Sequence, residues 1–426
     1  MKSGMRTLMK KTVSLLPFLL VTMALLLFIS QRRTRNAETS QQYGWWQIQS
    51  IDTMKYSRDP SRAKLEDPTF DRMIDQQVRA IAGTGATHVA IGTPYDEEFV
   101  PMLRRWVAAA RRHGLNVWFR GNFSGWERWF DYPRISREDH IRATGRFIRE
   151  HPDLFRDGDI FTPCPECENG GPGDPRRTGD DQGHRKFLIE LHETAVQSFE
   201  AIGKDVESGY FSMNGDVARL IMDWETTEDL GGVVVIDHYV ASPKRLREDI
   251  IEIAERSGGR IILGEFGAPI LDLHGAMDEA EQADWISDAL SEVSGIPELI
   301  GVNYWTSVGG STAIWESDGT AHQSVDTLSG FYRPAIAQGR ITNEIGQPIG
   351  NAIVTNTYRS TISDNRGRFL LAYTQDTQEL SIQATDYRQS NILIGETDED
   401  LNIRLIRESE PLWFKVIKFL KLRLMF

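Results

Sequence analysis

The 426-residue chain has only two cysteines, Cys164 and Cys167, so no disulfide framework organises it. A zinc site needs about four ligands, and no second Cys/His cluster at ligand spacing joins this pair, so no metal is expected. A thioredoxin-like role would place the pair at a helix start. Its setting suggests a loop instead, which leaves a local bridge and two buried thiols both open. A surplus of positive charge is also missing: 48 Lys and Arg stand against 61 Asp and Glu, a net charge of −13. Such a chain lacks the basic footprint that nucleic acid demands. No Gly-rich phosphate loop follows the first predicted strand, which argues against a doubly wound dinucleotide fold.

One apolar run stands out, from Thr12 to Ser30, broken only by small hydroxyl residues and Pro17. Its length of about 19 residues suffices to span a bilayer. Lys2, Arg6, Lys10 and Lys11 precede it, and Arg32, Arg33 and Arg35 follow. A cleaved signal peptide would end in small residues, which are missing here, so residues 1–36 read as an uncleaved transmembrane anchor. The nearly equal basic flanks leave its orientation open.

Beyond a polar linker, short β-rich apolar runs alternate with helical stretches, the pattern of βα units. The predicted strands are Trp46–Ile51, His88–Gly92, Asn116–Arg120, Asp159–Thr162, Asp205–Phe211, Val233–Ile236, Arg260–Gly264 and Leu299–Asn303. The predicted helices are Phe70–Ala82, Glu97–His113, Arg137–Glu150, Lys186–Ile202, Asp216–Asp223, Arg245–Arg256 and Glu279–Val293. Eight strands with intervening helices over residues 43–335 predict an α/β fold of the (β/α)8 TIM-barrel type. From about Gln338 the pattern becomes short alternating strands with Gly and Asn/Asp at the bends, predicting a small C-terminal all-β sandwich over 338–406. Residues 411–426 form a tail with Lys415, Lys418 and Lys421 at helical spacing. It suits either an anionic membrane surface or packing on the folded domains.

Catalytic residues of a barrel sit at the C-terminal ends of its strands, where the loops converge on one mouth. Glu265 follows Ile261–Ile262–Leu263–Gly264 and precedes Phe266–Gly267, a carboxylate held between glycines at the end of strand seven. Strand four runs into Thr162–Pro–Cys–Pro–Glu166–Cys–Glu168–Asn169, which offers a second carboxylate. Arg120 ends strand three, with Asn122 just after it and the aromatic cluster Trp126, Trp129 and Phe130 beyond. Strand six ends in Asp237–His238–Tyr239, and strand eight in Asn303–Tyr304–Trp305.

On the "GEFG" stretch around Glu265, residues 43–335 resemble clan A of the glycoside hydrolases, most nearly its cellulase and mannanase type. The resemblance implies Glu265 as nucleophile and a strand-four glutamate as acid/base. Pro165 stands where the clan has Asn, so Glu166, nearer the strand end, and Glu168 both remain candidates, with Glu166 preferred. Arg120, Asn122, Trp126, His238, Tyr239 and Trp305 are the expected substrate-binding residues, with Tyr239 favoured over its neighbour His238. The implied reaction is retaining cleavage of a β-linked glucan or mannan by double displacement, which needs no cofactor. The partners are then an oligo- or polysaccharide and, through the N-terminal helix, a membrane, with the barrel on the extracytoplasmic side, at the cell surface or in the periplasm. The competing readings are a catalytically inactive carbohydrate-binding or scaffold protein and, last, a metal-dependent hydrolase resting on the Asp237–His238 pair. The segments "GRITNEIGQPIGNAIV" and "TISDNRGRFLL" resemble the carboxypeptidase regulatory-like domain family, which implies a non-catalytic module.

Overall fold

The computed structural model describes residues 45–408, except 375, 376, 378 and 395–399. The predicted span at residues 12–30 and the basic tail at 411–426 lie outside them. Among the described residues no helix is long and apolar enough to cross a membrane.

Eight parallel strands form one curled sheet: β1 (Ile48–Asp52), β2 (His88–Ile91), β3 (Asn116–Phe119), β4 (Ile160–Phe161), β5 (Ser212–Asn214), β6 (Val233–Asp237), β7 (Arg260–Phe266) and β8 (Leu299–Tyr304). Their order is β4-β3-β2-β1-β8-β7-β6-β5. The ring closes where Glu207 bridges Ile160 in parallel and the Phe161 N–H donates to the Glu207 carbonyl at 2.8 Å. The predicted fifth strand therefore arrives in two pieces. The Phe211 N–H turns back onto the Gly209 carbonyl at 3.2 Å, and this kink separates the bridge at Glu207 from the paired strand at Ser212. A helix follows each strand: α1 (Phe70–Gly83), α2 (Val100–Arg112), α3 (Arg137–Glu150), α4 (Asp181–Ala201), α5 (Gly215–Ile221), α6 (Pro243–Ser257), α7 (Glu279–Ser294) and α8 (Gln323–Tyr332). Their starts obey local chemistry. Ser136 and Asp278 cap α3 and α7 through reciprocal capping boxes, and Asp180 starts α4 a turn before the predicted helix by accepting from the Gly183 N–H. Such caps satisfy backbone donors that the helix itself leaves unpaired.

The barrel lumen is packed rather than open. Ile48, Ala90, Trp118, Ile160, Val233, Val235, Ile262 and Ile300 form a buried cluster inside the ring, while the alternate residues Val117, Val234, Ile261 and Leu263 join the larger core beneath the helices. The two-residue period of a strand carries this pattern upward. Asp52, Arg120 and Asp237 are the next inward positions above Ser50, Trp118 and Val235. On β7 the inward position above Ile262 is Gly264. A side-chain carbon there would sit 2.4 Å from Asp237 Oδ1 and 2.7 Å from Val235 Cγ1. The β6–β7 register then slips, pairing Ile236 with Leu263 but Asp237 with Glu265. A bulge of this kind re-aims the next side chain, and here it turns Glu265 into the mouth.

The second apolar centre belongs to residues 335–408. Strands β9 (Ala335–Thr342), β12 (Arg368–Tyr373) and β15 (Leu401–Arg404) form one sheet, and β10 (Ile353–Thr355), β11 (Ser360–Ile362), β13 (Glu379–Gln383) and β14 (Ser390–Leu393) the other. Ile341, Val354, Phe369, Leu380, Ile382 and Ile403 fill the space between them. The pairing of β15 with β9 is parallel, so the predicted all-β sandwich, otherwise antiparallel, has one parallel edge. The module docks on the barrel through Arg359, whose guanidinium lies 5.2 Å from the Trp45 ring and donates to the Ser294 carbonyl at 2.7 Å.

Gly264→Ala is expected to displace Asp237 and to cost about 1–3 kcal/mol, as overpacking of a filled interior does. Urea unfolding of the variant beside wild type measures it; an unchanged midpoint would show that the mouth tolerates the extra carbon.

Candidate active site

The floor of the mouth is organised by Arg120, whose guanidinium is fully buried. Its Nη1 donates to Asp52 Oδ2 and to the Gly264 carbonyl, each at 2.8 Å. Its Nη2 donates to Asp237 Oδ2 at 3.0 Å, to Ser212 Oγ at 3.2 Å and to Glu265 Oε1 at 3.0 Å. Beneath it, the Trp118 ring lies 5.5 Å from the guanidinium carbon. Asn303, at the end of β8, adds a donor to Asp52 at 3.3 Å and to the Gly264 carbonyl at 2.7 Å. Five strands thus meet on one cation or its partners.

The charges in this cluster do not balance, because one guanidinium faces the three carboxyls of Asp52, Asp237 and Glu265. A buried, unpaired negative charge is expensive, and a carboxyl in that position takes up a proton instead. Burial, only partly offset by Arg120, pushes Asp237 well above the usual carboxylate range, and the charges of Glu265 and Glu166 add to the rise. Asp52 is raised as well, by burial against Arg120. Of the three, Asp237 is thus the carboxyl whose charge is most strongly disfavoured by its burial.

Glu265 is 8% exposed. Its Oε1 accepts from Arg120, and its Oε2 accepts from the Tyr239 hydroxyl at 2.9 Å. Burial pushes its carboxyl up to about 7 while Arg120 pulls it back, and the charges of Glu166 and Asp52 add to the rise. The two donors hold one rotamer and favour the ionised form, which is the state a nucleophile requires.

The segment after β4 carries both remaining glutamates, and they part company. The Glu166 N–H donates to the Ser212 carbonyl at 2.8 Å, and its half-buried carboxyl accepts from Asn169 Nδ2 at 3.0 Å. Its charge is felt by Arg120, Asp237 and Glu265, and of the two loop glutamates it is the one left half-buried. Burial raises its pKa, as a general acid needs. Glu168 is turned away into the wall and is 3% exposed. Its Oε1 accepts from the Asn214 N–H at 2.8 Å, and burial pushes it up to about 7. It ties the β4 loop to the end of β5. The two cysteines between which Glu166 lies are joined in a disulfide with a Cα–Cα distance of 5.3 Å.

Four of the six expected substrate-binding residues have other employment. Trp126 is 1% exposed; its ring stacks on Phe187 at 5.1 Å, and Gly170 and Gly171 lie against it. With its Nε1 donating to the Cys167 carbonyl at 3.2 Å, it is a wall beneath the β4 loop and has no face for a sugar. Asn122 is fully buried and braces the interior, accepting from His140 Nε2 at 2.9 Å and donating to Glu127 at 3.1 Å. His238 turns away from the mouth to Asp249 at 2.8 Å, because its neighbours Asp237 and Tyr239 take the two inward directions. Arg120, too, is enclosed by protein and reaches a substrate only through Glu265. Tyr239 and Trp305 do meet at the mouth, with ring centres 6.3 Å apart; a cavity of about 260 Å³ lined by Tyr56, Gln282, Gly310 and Trp315 includes none of the site residues in its walls. Trp129 lies at the rim, 4.8 Å from the guanidinium of Arg58.

Asp52, Ser212, Asn303 and Glu127 were not singled out from sequence. Asp52 directly follows the predicted first strand and Asn303 ends the predicted eighth, so the strand-end rule pointed at both. Nothing local marks Glu127, whose carboxyl burial pushes up to about 7.

Among solved structures, a GH5_18 protein from Bifidobacterium longum subsp. infantis superposes with a TM-score of 0.51 at 15% identity, over 71% of this chain and 84% of that one. A GH5_18 variant from Bifidobacterium longum subsp. longum in complex with Manβ1-4GlcNAc gives 0.49 at 16% identity, over 71% and 86%. A Bifidobacterium dentium β-glucuronidase gives 0.45 at 17% identity, over 67% of this chain and 46% of that one. Neither a protein-family model nor a curated protein matches the sequence. The likeness is one of fold: this chain is a (β/α)8 barrel of the kind found in GH5 enzymes.

Replacing Arg120 by Met leaves three buried carboxyls without their cation and is expected to cost about 3–5 kcal/mol near neutral pH. The loss should shrink as pH falls through the ordinary carboxylate range to about 3, below which the carboxyls are largely protonated in folded and unfolded chains alike. Chemical denaturation at several pH values tests this, and a pH-independent loss would sink it.

Proposed function

We propose that the protein is a retaining glycoside hydrolase that cleaves β-linked glycans of the glucan or mannan type. The observation carrying this reading is Glu265 on β7, held by Arg120 and Tyr239; the half-buried Glu166 of the β4 loop, its pKa raised by burial, is taken as its partner. Glu166 protonates the leaving oxygen while Glu265 attacks the anomeric carbon. With the leaving group gone, Glu166 removes a proton from the water that releases the sugar. Retention calls for carboxyl groups about 5–5.5 Å apart. Trp305 beside Tyr239 supplies a flat face for a pyranose ring. The Arg120 cluster bears on the rival idea of a binding module, since a pure binder gains nothing from the cost of burying those carboxyls.

We place the barrel on the extracytoplasmic side, tethered through residues 12–30. The Cys164–Cys167 bridge supports that location, because disulfides persist in oxidising compartments. The resemblance of residues 338–406 to a regulatory-like module stands as part of the same proposal.

On a panel of chromogenic β-glycosides and β-glucan and β-mannan polymers, Glu265→Ala should lower kcat by about 10⁴-fold or more, as loss of a nucleophile does. Undiminished turnover in that variant would end the hydrolase reading. The wild-type pH profile should be bell-shaped, its limbs belonging to the coupled pair. Glu166→Gln removes a negative charge facing Glu265, so the acidic limb should move to lower pH and the basic limb should vanish. Glu168→Gln should keep both limbs; a basic limb lost there instead would make Glu168 the acid.

A further inference from the structure

We propose that the Cys164–Cys167 bridge is a positioning device for the catalytic acid, holding Glu166 in the one backbone conformation that turns its carboxyl toward Glu265. The inference rests on the hydrolase reading above. Glu166 has φ 43° and ψ 51°, the left-handed region that a side chain with a Cβ rarely adopts. Such a conformation persists only where its surroundings over-determine it. Here the surroundings are a ring of four residues closed by the disulfide, with Pro165 restricting the step before Glu166.

Both cysteines are buried, Cys164 at 0% and Cys167 at 3% exposure, and each is anchored to a fixed part of the barrel. The Cys167 carbonyl accepts from Trp126 Nε1 at 3.2 Å, and Cys164 Sγ lies 3.8 Å from Asn122 Nδ2. The Glu166 backbone is held by Ser212 at the start of β5. Of the ring's side chains, Glu166 alone is only half-buried.

The size of the ring separates this role from general stabilisation. A cross-link acts on the unfolded chain in proportion to the logarithm of the loop it closes, and the two cysteines are only three positions apart. Its effect therefore falls on local geometry. Misplacing a general acid by an ångström forfeits much of its contribution. This also accounts for Trp126, Asn122 and His140, which serve the bridge from below instead of meeting the sugar.

The test uses the full chain with Cys164→Ser/Cys167→Ser and, as a second version, Cys164→Ala/Cys167→Ala. Each is assayed on phenyl and dinitrophenyl β-glycosides of the sugar that wild type cleaves. Departure of dinitrophenolate needs no proton, so a misplaced acid should spare kcat/KM for that substrate. It should lower kcat/KM for the phenyl glycoside by about 10²-fold, the scale of general acid catalysis. Added azide should restore kcat on the dinitrophenyl glycoside by replacing the water that Glu166 no longer activates. An unchanged kcat/KM on the phenyl glycoside, or an equal loss on both, overturns the proposal.

A second arm needs no substrate. Carbon-13 titration of the Glu166 carboxyl, assigned by its disappearance in Glu166→Gln, reads the surroundings set by Arg58, Arg120, Glu127, Glu168, Asp237 and Glu265. In the double variants the titration should fall back to the ordinary glutamate range, and an unmoved titration overturns the proposal. If wild type cleaves neither glycoside, the hydrolase reading is what has failed, and the titration alone still decides where the bridge puts Glu166.

Discussion

A single buried guanidinium sets the terms for the whole mouth. Arg120 rises from β3 at the level where the apolar filling of the lumen stops, and Asp52, Asp237 and Glu265 converge on it from β1, β6 and β7. Burying a cation without partners would cost several kcal/mol, and burying three carboxyls without a cation would cost more. Each therefore requires the other, and the requirement draws together strands far apart in the sequence. Glu265 inherits its geometry from this arrangement, since one of its oxygens is committed to Arg120 and the other to Tyr239. Burial, only partly offset by the one cation, raises both Asp237 and Glu265, so electrostatic tension is concentrated where chemistry is proposed.

The two sides of the mouth are built differently. Glu265 stands on a strand, beside a bulge and a glycine that leaves room for Asp237, and its neighbours are rigid. Glu166 stands on a loop with no regular structure to hold it, so the loop is secured piecemeal: a disulfide, a bond from the Glu166 N–H to β5, the buried Glu168 on the Asn214 N–H, and the Trp126 wall below. Strand residues are placed by the sheet; a loop residue has to be placed by its neighbours. The resources spent on one loop, including the chain's only pair of cysteines, match the demand that an acid sit within hydrogen-bond reach of its target.

Much of the architecture was legible in one dimension. The alternation of apolar runs and amphipathic stretches indicated eight βα units because burial on both faces of a strand and on one face of a helix imposes those periods. The site was legible in part. Counting strand ends led to Glu265, Arg120, Tyr239 and Trp305, all of which lie at the mouth. Arg120, Asn122, Trp126 and His238 were all expected to meet the substrate, but Arg120 is enclosed by its carboxyl partners and the other three side chains point elsewhere. Direction beyond a strand end depends on which neighbour gets there first. Asp237 and Tyr239 occupy the inward directions on either side of His238, and Gly170 and Gly171 close over the Trp126 ring.

By itself the sequence determined what local rules can determine: which segments become strands and helices, where caps and turns fall, and that carboxyls gather at the ends of strands four and seven. Those outcomes depend on residues within a few positions of one another. Only the tertiary structure decided that Glu168 is folded into the wall while Glu166 stays half-buried, that the cysteines bridge around Glu166, that a bulge turns Glu265 inward, and that Asp237 shares Arg120 with Asp52. Each depends on groups tens to hundreds of positions apart, whose meeting is set by closure of the barrel and by the rule that buried charge must find its partner.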